Sequence, residues 1–157
     1  MAERMVIDAS VAAKWFLRDP LEADVDLAEE LLIALLADDI EMHAPRIFTY
    51  EVCKLLTKAC LSRDPRTKDS RLGKGAAEEC VRRLFALPIE YAETTAEESL
   101  GAIDLAVSYA KQYYDMIYIR LARELDCHWC TADEKLLLGL APGFPSNRVL
   151  LLSSLRD

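Results

Sequence analysis

Histidine is scarce in this chain: His43 and His128 are the only two among 157 residues. Neither has an evident nucleophile partner, so histidine-activated nucleophilic catalysis has little to draw on. Both imidazoles are expected to be structural. Long apolar runs are missing too. The longest, Leu31 to Ala37, is bounded by acids and falls far short of the roughly 18 residues that span a bilayer. Asp8 interrupts the N-terminal apolar segment before a secretory leader can form. The expectation is a cytoplasmic protein that does not enter a membrane. Cysteines number five, an odd count without framework spacing. Cys53 and Cys60 share one expected helix. Cys127 and Cys130 form a lone C-x-x-C in a strand-like segment, which turns them to opposite faces. Without a second ligand pair, buried free thiols are expected rather than zinc. Repeats and low-complexity tracts are absent.

Positive charge is also in short supply. The net charge is −8, which argues against a general nucleic-acid coat protein. The distribution is uneven. Asp19 to Glu41 carries nine acids and no Lys or Arg, whereas Lys54 to Arg83 carries nine Lys or Arg against four acids. That local surplus suits either phosphate contacts or a solvated helical hairpin. What the chain has in quantity is apolar surface, at 52% of residues. That supports one globular domain over residues 1–157 with a real core.

Short apolar runs alternate with helical periodicity. Strands are expected at Met5–Ile7, Ile40–Ala44, Pro88–Ala92, Cys127–Thr131 and Val149–Leu152. Ser10 can cap a first helix, which Pro20 stops. An amphipathic helix follows over Ala23–Ala37. Pro45 suits the first turn of a helix over Arg46–Leu61. Ser62 to Gly75 reads as a polar loop or broken helix, and Gly75–Leu87 as a helix. Thr95 with Glu98 is a capping box for a helix to about Gln112. Asp115–Leu125 is another helix, and Asp133–Leu138 a short one that Gly139 can stop. Such alternation implies a parallel sheet with helices on both faces. Ligands bind such sheets at the carboxyl ends of the strands.

Asp8, Glu51, Asp115 and Asp133 occupy positions where a carboxylate is poorly used by the fold alone. Asp8 ends the first strand and Asp133 follows the fourth. Asp115 opens the helix that leads into the fourth strand. That helix and the strand returning beside it each span about 16 Å, which puts Asp115 and Asp133 at the same edge. Glu51 lies in the first two turns after the second strand, between Ile47 and Leu55 on the apolar arc. An unpaired buried carboxylate is costly and takes up a proton instead. Taken singly, Asp8, Asp115 and Asp133 can be helix caps. Four acids at one edge point to a hard divalent cation.

The segments Val6-Ile7-Asp8-Ala9-Ser10-Val11, Tyr50-Glu51-Val52, Tyr114-Asp115-Met116-Ile117-Tyr118 and Thr131-Ala132-Asp133-Glu134-Lys135-Leu136 resemble the PIN-domain family. Within it they are most similar to the toxin ribonucleases of VapC type. Order and spacing cover nearly the whole chain. The resemblance implies a three-layer α/β/α Rossmann-like fold with a short, mostly parallel sheet of about five strands. It implies an endoribonuclease that depends on Mg²⁺ or Mn²⁺. Asp8, Glu51, Asp115 and Asp133 match the family's catalytic, metal-holding acids, and Ser10 and Thr131 the small hydroxyl positions beside them. It further implies a homodimer and a small antitoxin that brings a basic side chain near the acidic pocket. The Ser62 to Lys74 segment is longer than in compact members, which bears on groove shape and substrate choice.

The chemistry agrees independently. Mg²⁺ prefers oxygen ligands and uses few carboxylates, and phosphodiester hydrolysis draws on Lewis acidity rather than on histidine. Lys14, Arg46, Lys54, Arg63, Arg66, Lys68 and Arg71 are candidates for RNA phosphates. A haloacid-dehalogenase-like phosphatase resembles D-x-D after its first strand, where Ser10 stands here. A response-regulator receiver needs an early acidic pair that is absent. A housekeeping RNA-processing nuclease, and a catalytically silent RNA- or protein-binding module, remain as alternatives.

Overall fold

The computed structural model describes residues 2–19 and 21–156. The expected helix stop at Pro20 lies outside them. The chain forms β1 (Glu3–Ile7), α1 (Ala9–Phe16), α2 (Val25–Leu36), β2 (Ile40–Pro45), α3 (Ile47–Leu61) and α4 (Lys74–Ala86). It continues with β3 (Ile89–Ala92), α5 (Ala96–Tyr109), α6 (Tyr113–Glu124), β4 (His128–Thr131) and β5 (Val149–Leu151). Short 3₁₀ turns cover Glu134–Leu137, Ser146–Arg148 and Leu152–Arg156.

The five strands are all parallel, in the order β3-β2-β1-β4-β5. β1 is central, and its Met5, Val6 and Ile7 are buried. A strand covered on both faces needs such an unbroken apolar run. The order also sets the layers. From β1 the chain steps outward to β2 and β3, then crosses back to β4 and β5. Right-handed crossovers therefore put α1–α4 on one face and α5–α6 on the other. α1 packs on α2 and α3, and α3 on α4, while α5 packs on α6 and α6 lies over β1, β2 and β4. The reversal falls between β1 and β4. A crevice opens there, outside the strands' carboxyl ends.

Several boundaries differ from the sequence reading. Asp8, not Ser10, caps α1: its backbone is extended and its carboxylate accepts from the Ser10 N–H. Pro45 ends β2, paired with Ala92, and does not open α3. α5 stops at Tyr109 because Ala110 turns left-handed at φ 51°. α6 begins at Tyr113, so Asp115 sits inside its first turn rather than at its cap. The helix expected at Asp133–Leu138 is the 3₁₀ turn Glu134–Leu137. The Thr95–Glu98 capping box is present with both reciprocal bonds. All five cysteines are free thiols, Cys127 and Cys130 buried. His43 is buried in the sheet, and His128 is exposed.

Phe48, Val52 and Leu56 form the buried face of α3. Phe48→Ala is expected to cost about 3–5 kcal/mol, as deletion of a fully buried aromatic ring does. A urea midpoint shift at unchanged slope measures it, and a loss under ~1 kcal/mol contradicts the packing.

Candidate active site at the carboxyl edge of the sheet

The crevice is built from the ends of β1 and β4, the first two turns of α3 and the first turn of α6. Asp8 follows β1, and its N–H donates to the carbonyl of Cys130 at 2.9 Å. Its Oδ2 accepts from the Ser10 N–H at 3.1 Å, from the Ser10 hydroxyl, and from Thr131 Oγ1 at 3.2 Å. Ser10 Oγ in turn accepts from the Ala132 N–H at 3.0 Å, and Thr131 Oγ1 from the Asp133 N–H at 3.1 Å. These two hydroxyls tie the turn after β1 to the turn after β4. Both turns need a short side chain that donates and accepts at once. Thr131 is completely buried, so its hydroxyl is bonded on both sides, as burial demands.

Asp133 is exposed at the rim and caps the following 3₁₀ turn through Lys135. Asp115 is half-buried in the first turn of α6. Glu51 is half-buried in the second turn of α3 and accepts from the Tyr118 hydroxyl at 2.9 Å.

Electrostatics show that these acids share one field. Burial pushes the Asp8 carboxyl above its ordinary range, against the pull of the Ser10 and Thr131 bonds. Burial also raises Glu51, and the charges of Asp8 and Asp115 raise it further. Asp115 is pushed up to about 6, first by burial and then by the charges of Asp8 and Asp133. Carboxylates held together this way take up protons unless a cation joins them.

The basic candidates are more dispersed. Lys54 lies close enough to Glu51 to oppose the rise of its pKa. Arg46 is paired with Glu93, its Nε 2.9 Å from Oε2. Lys14 is buried and committed to Glu22 Oε1 at 2.7 Å and the Ala23 carbonyl at 3.0 Å. Arg63, Arg66, Lys68 and Arg71 sit on a hairpin beyond the far end of α3, closed by the Arg63–Ser70 bridge. From Glu51 to Leu61 the helix descends about 15 Å, so this hairpin lies toward the opposite edge of the sheet. Arg66 pairs there with Asp64, Arg71 with Asp19, and Arg63 donates to the Lys68 carbonyl.

Four residues at the site escaped the sequence reading. Lys111 and Lys135 line, with Asp115 and Asp133, an open cleft of about 350 Å³. Lys111 Nζ donates to the Leu136 carbonyl at 3.0 Å and lies 5.7 Å from the Phe144 ring centre. Lys135 was visible two residues past Asp133, but Lys111 sits in a connection with no periodicity to read. Tyr118 and Trp129 are buried beneath the acids, their rings stacked at 5.3 Å and 15°. Both looked like ordinary core aromatics.

Among the described residues, no three His, Cys, Asp or Glu side chains are drawn together as a closed metal cage. The donor set nevertheless fits one kind of ion. Every ligating atom on offer is oxygen, and the cleft is open. A hard cation such as Mg²⁺ takes one or two carboxylates and keeps its waters.

The PIN domain family model matches residues 5–138, and the chain belongs to that family. Among solved structures it is similar to Mycobacterium tuberculosis VapC20, described as a sarcin–ricin-loop-cleaving toxin. The TM-score is 0.58 at 16% identity, over 90% of this chain and 99% of that one. A toxin–antitoxin complex from Klebsiella pneumoniae gives 0.59 at 15% identity, over 94% and 97%. The protein PAE2754 from Pyrobaculum aerophilum gives 0.63 at 17% identity, over 99% and 93%. At these identities the likeness is one of fold. No curated protein matches the chain. Among the described residues no helix is long and apolar enough to cross a membrane.

Proposed function

We propose that this protein is a metal-dependent endoribonuclease, and that it is the toxin of a toxin–antitoxin pair. The observation that carries the reading is the convergence of Asp8, Glu51, Asp115 and Asp133 at the β1/β4 crevice, where Glu51 and Asp115 are raised by the charges of their acidic neighbours as well as by burial. Family membership supports a nuclease. The toxin named in the Mycobacterium structure and the complex named in the Klebsiella structure support the toxin–antitoxin assignment.

In this reading the four acids hold Mg²⁺ or Mn²⁺, which supplies Lewis acidity to the phosphodiester when bound. Ser10 and Thr131 fix Asp8 through Oδ2. Lys111 and Lys135 offset the acids' repulsion of an incoming phosphate. The protein works as one domain in the cytoplasm, as a homodimer. Its acidic pocket receives an Arg or Lys from a small antitoxin, which forms charge-assisted bonds there. Cleavage of total cellular RNA with Mg²⁺ or Mn²⁺ tests the activity, with EDTA and Asp8→Asn as controls. Cutting that survives EDTA or Asp8→Asn overturns it. Co-purification of a small protein encoded beside it, with activity returning after its removal, tests the pairing.

The distant hairpin makes a separate, length-dependent contribution. Replacing Arg63, Arg66, Lys68 and Arg71 by Ala is expected to weaken binding of long RNA. Its salt slope should fall by ~0.7 for each phosphate that the hairpin no longer neutralises. Binding of a dinucleotide, with its single phosphodiester, should not change, because α3 sets the hairpin about 15 Å from the acids. Equal salt slopes for long RNA in both proteins identify the hairpin as a solvated surface.

A further inference from the structure

We propose that Tyr118 is a positioning residue that fixes the Glu51 carboxylate for its cation, seated for that task on Trp129. This rests on the metal-dependent reading above and deepens it. Tyr118 stands three residues after Asp115 on α6, so the two share a helix face. Its ring is 1% exposed. It lies stacked on Trp129, and its hydroxyl reaches Glu51 Oε1 at 2.9 Å. α3 and α6 cover opposite faces of the sheet. This one hydrogen bond therefore joins the two helices across the crevice.

Glu51 needs such a partner. Its neighbours along the helix face are Ile47 and Leu55, which offer no donor. Among the described residues, Tyr118 is the one side chain that donates to it. A free Glu side chain loses rotamer entropy when a ligand immobilises it. A phenol that holds it beforehand lowers that cost.

The choice of donor is informative. An Arg or Lys would hold Glu51 as firmly, but it would cancel the charge a cation needs. A phenol is neutral and fixes the carboxylate without neutralising it. A Phe would stack on Trp129 equally well, so packing alone does not call for the hydroxyl. Trp129 repeats the pattern. Its indole N–H is buried and forms no hydrogen bond, yet it lies near enough to the Asp8 carboxylate to temper the rise of its pKa. The stacked pair thus presents two neutral donors upward, one to Glu51 and one toward Asp8.

Tyr118→Phe keeps the ring and removes only the donor. Loss of a group that orients a ligand typically weakens metal binding or activity by about 10–100-fold. Calorimetric titration of the RNA-free protein with Mn²⁺ is expected to show about tenfold weaker binding. RNA cleavage should fall in kcat by a similar factor at unchanged KM, with the thermal midpoint kept. A cycle with Glu51→Gln separates positioning from packing. If Tyr118 acts through Glu51, then Tyr118→Phe adds nothing in the Glu51→Gln background. Wild-type Mn²⁺ affinity in Tyr118→Phe, or effects that simply add, overturns the role of Tyr118. Such a result leaves the nuclease reading standing if Glu51→Gln is inactive. A wild-type protein that neither binds Mn²⁺ nor cuts RNA overturns both.

Discussion

Changing Asp115 to Asn is expected to reduce RNA cleavage by about 10²-fold or more, the scale for removing a major electrostatic contributor to a transition state. The substitution keeps the shape of the side chain and deletes its charge. Asp115 lines the cleft beside Asp133 and shares a field with Asp8. Its loss should therefore remove a cation ligand without disturbing β1 or β4. The fold should hold or gain slightly. Burial and two neighbouring charges already press Asp115 toward its neutral form, and Asn is neutral from the outset. Low activity combined with an unchanged or higher melting temperature is the signature of a functional carboxylate. A structural one would lose both together. Glu134→Gln is the matched control, because Glu134 directly follows Asp133 but its carboxylate accepts from the Ser153 hydroxyl instead. Wild-type cutting by Asp115→Asn, or equal loss in both variants, removes Asp115 from the site.

The layout of this site was legible in the sequence where local rules act alone. The apolar run before Asp8, the Thr95–Glu98 box and the alternation of strand and helix each depend on near neighbours. They led to a parallel sheet and to acids at its carboxyl edge. Glu51 stood out because a helical wheel shows a charge inside an apolar arc. The partner that holds it did not. Tyr118 reads as core by every periodic measure, and only the crossing of α6 over the sheet brings its hydroxyl to α3. Charge counting along the chain had a different fault. It grouped Lys54 with Arg63, Arg66, Lys68 and Arg71 as one basic stretch. The direction of α3 separates them, with Lys54 beside Glu51 and the others near the opposite edge. Pro45 suits a helix start because it lacks an N–H. The same lack is tolerated at the end of β2, where Pro45 pairs with Ala92.

Between about pH 4.5 and pH 6 the metal-free protein is expected to lose stability as pH rises, while its affinity for Mg²⁺ or Mn²⁺ grows. The sign follows from the direction of the shifts. Asp115 titrates near 6 in the folded chain against 3.8 for an unperturbed group, and Asp8 and Glu51 are raised as well. Over this window the folded state binds more protons than the unfolded one, so raising the pH favours unfolding. The contribution of Asp115 is complete below 3.8 and is gone once the pH passes about 6. Asp26, Asp64 and Glu93 behave oppositely, since hydrogen bonds and arginine partners hold them low. Their stabilisation is lost only as the pH falls through their ordinary values of 3.8 and 4.5 and below, beneath the window. A cation competes with the same protons. Its affinity should fall by up to tenfold per pH unit below about 6 for each proton it displaces. At pH 7 and about 100 times its Kd, it should add ~2.7 kcal/mol to stability. Calorimetric melting with and without Mn²⁺ at three pH values reads both effects together. Asp115→Asn should flatten the metal-free slope and weaken the Mn²⁺ gain. A metal-free melting temperature that climbs steadily from about pH 4.5 to 6, with the same slope in Asp115→Asn, would mean that Asp115 ionises as an ordinary surface acid.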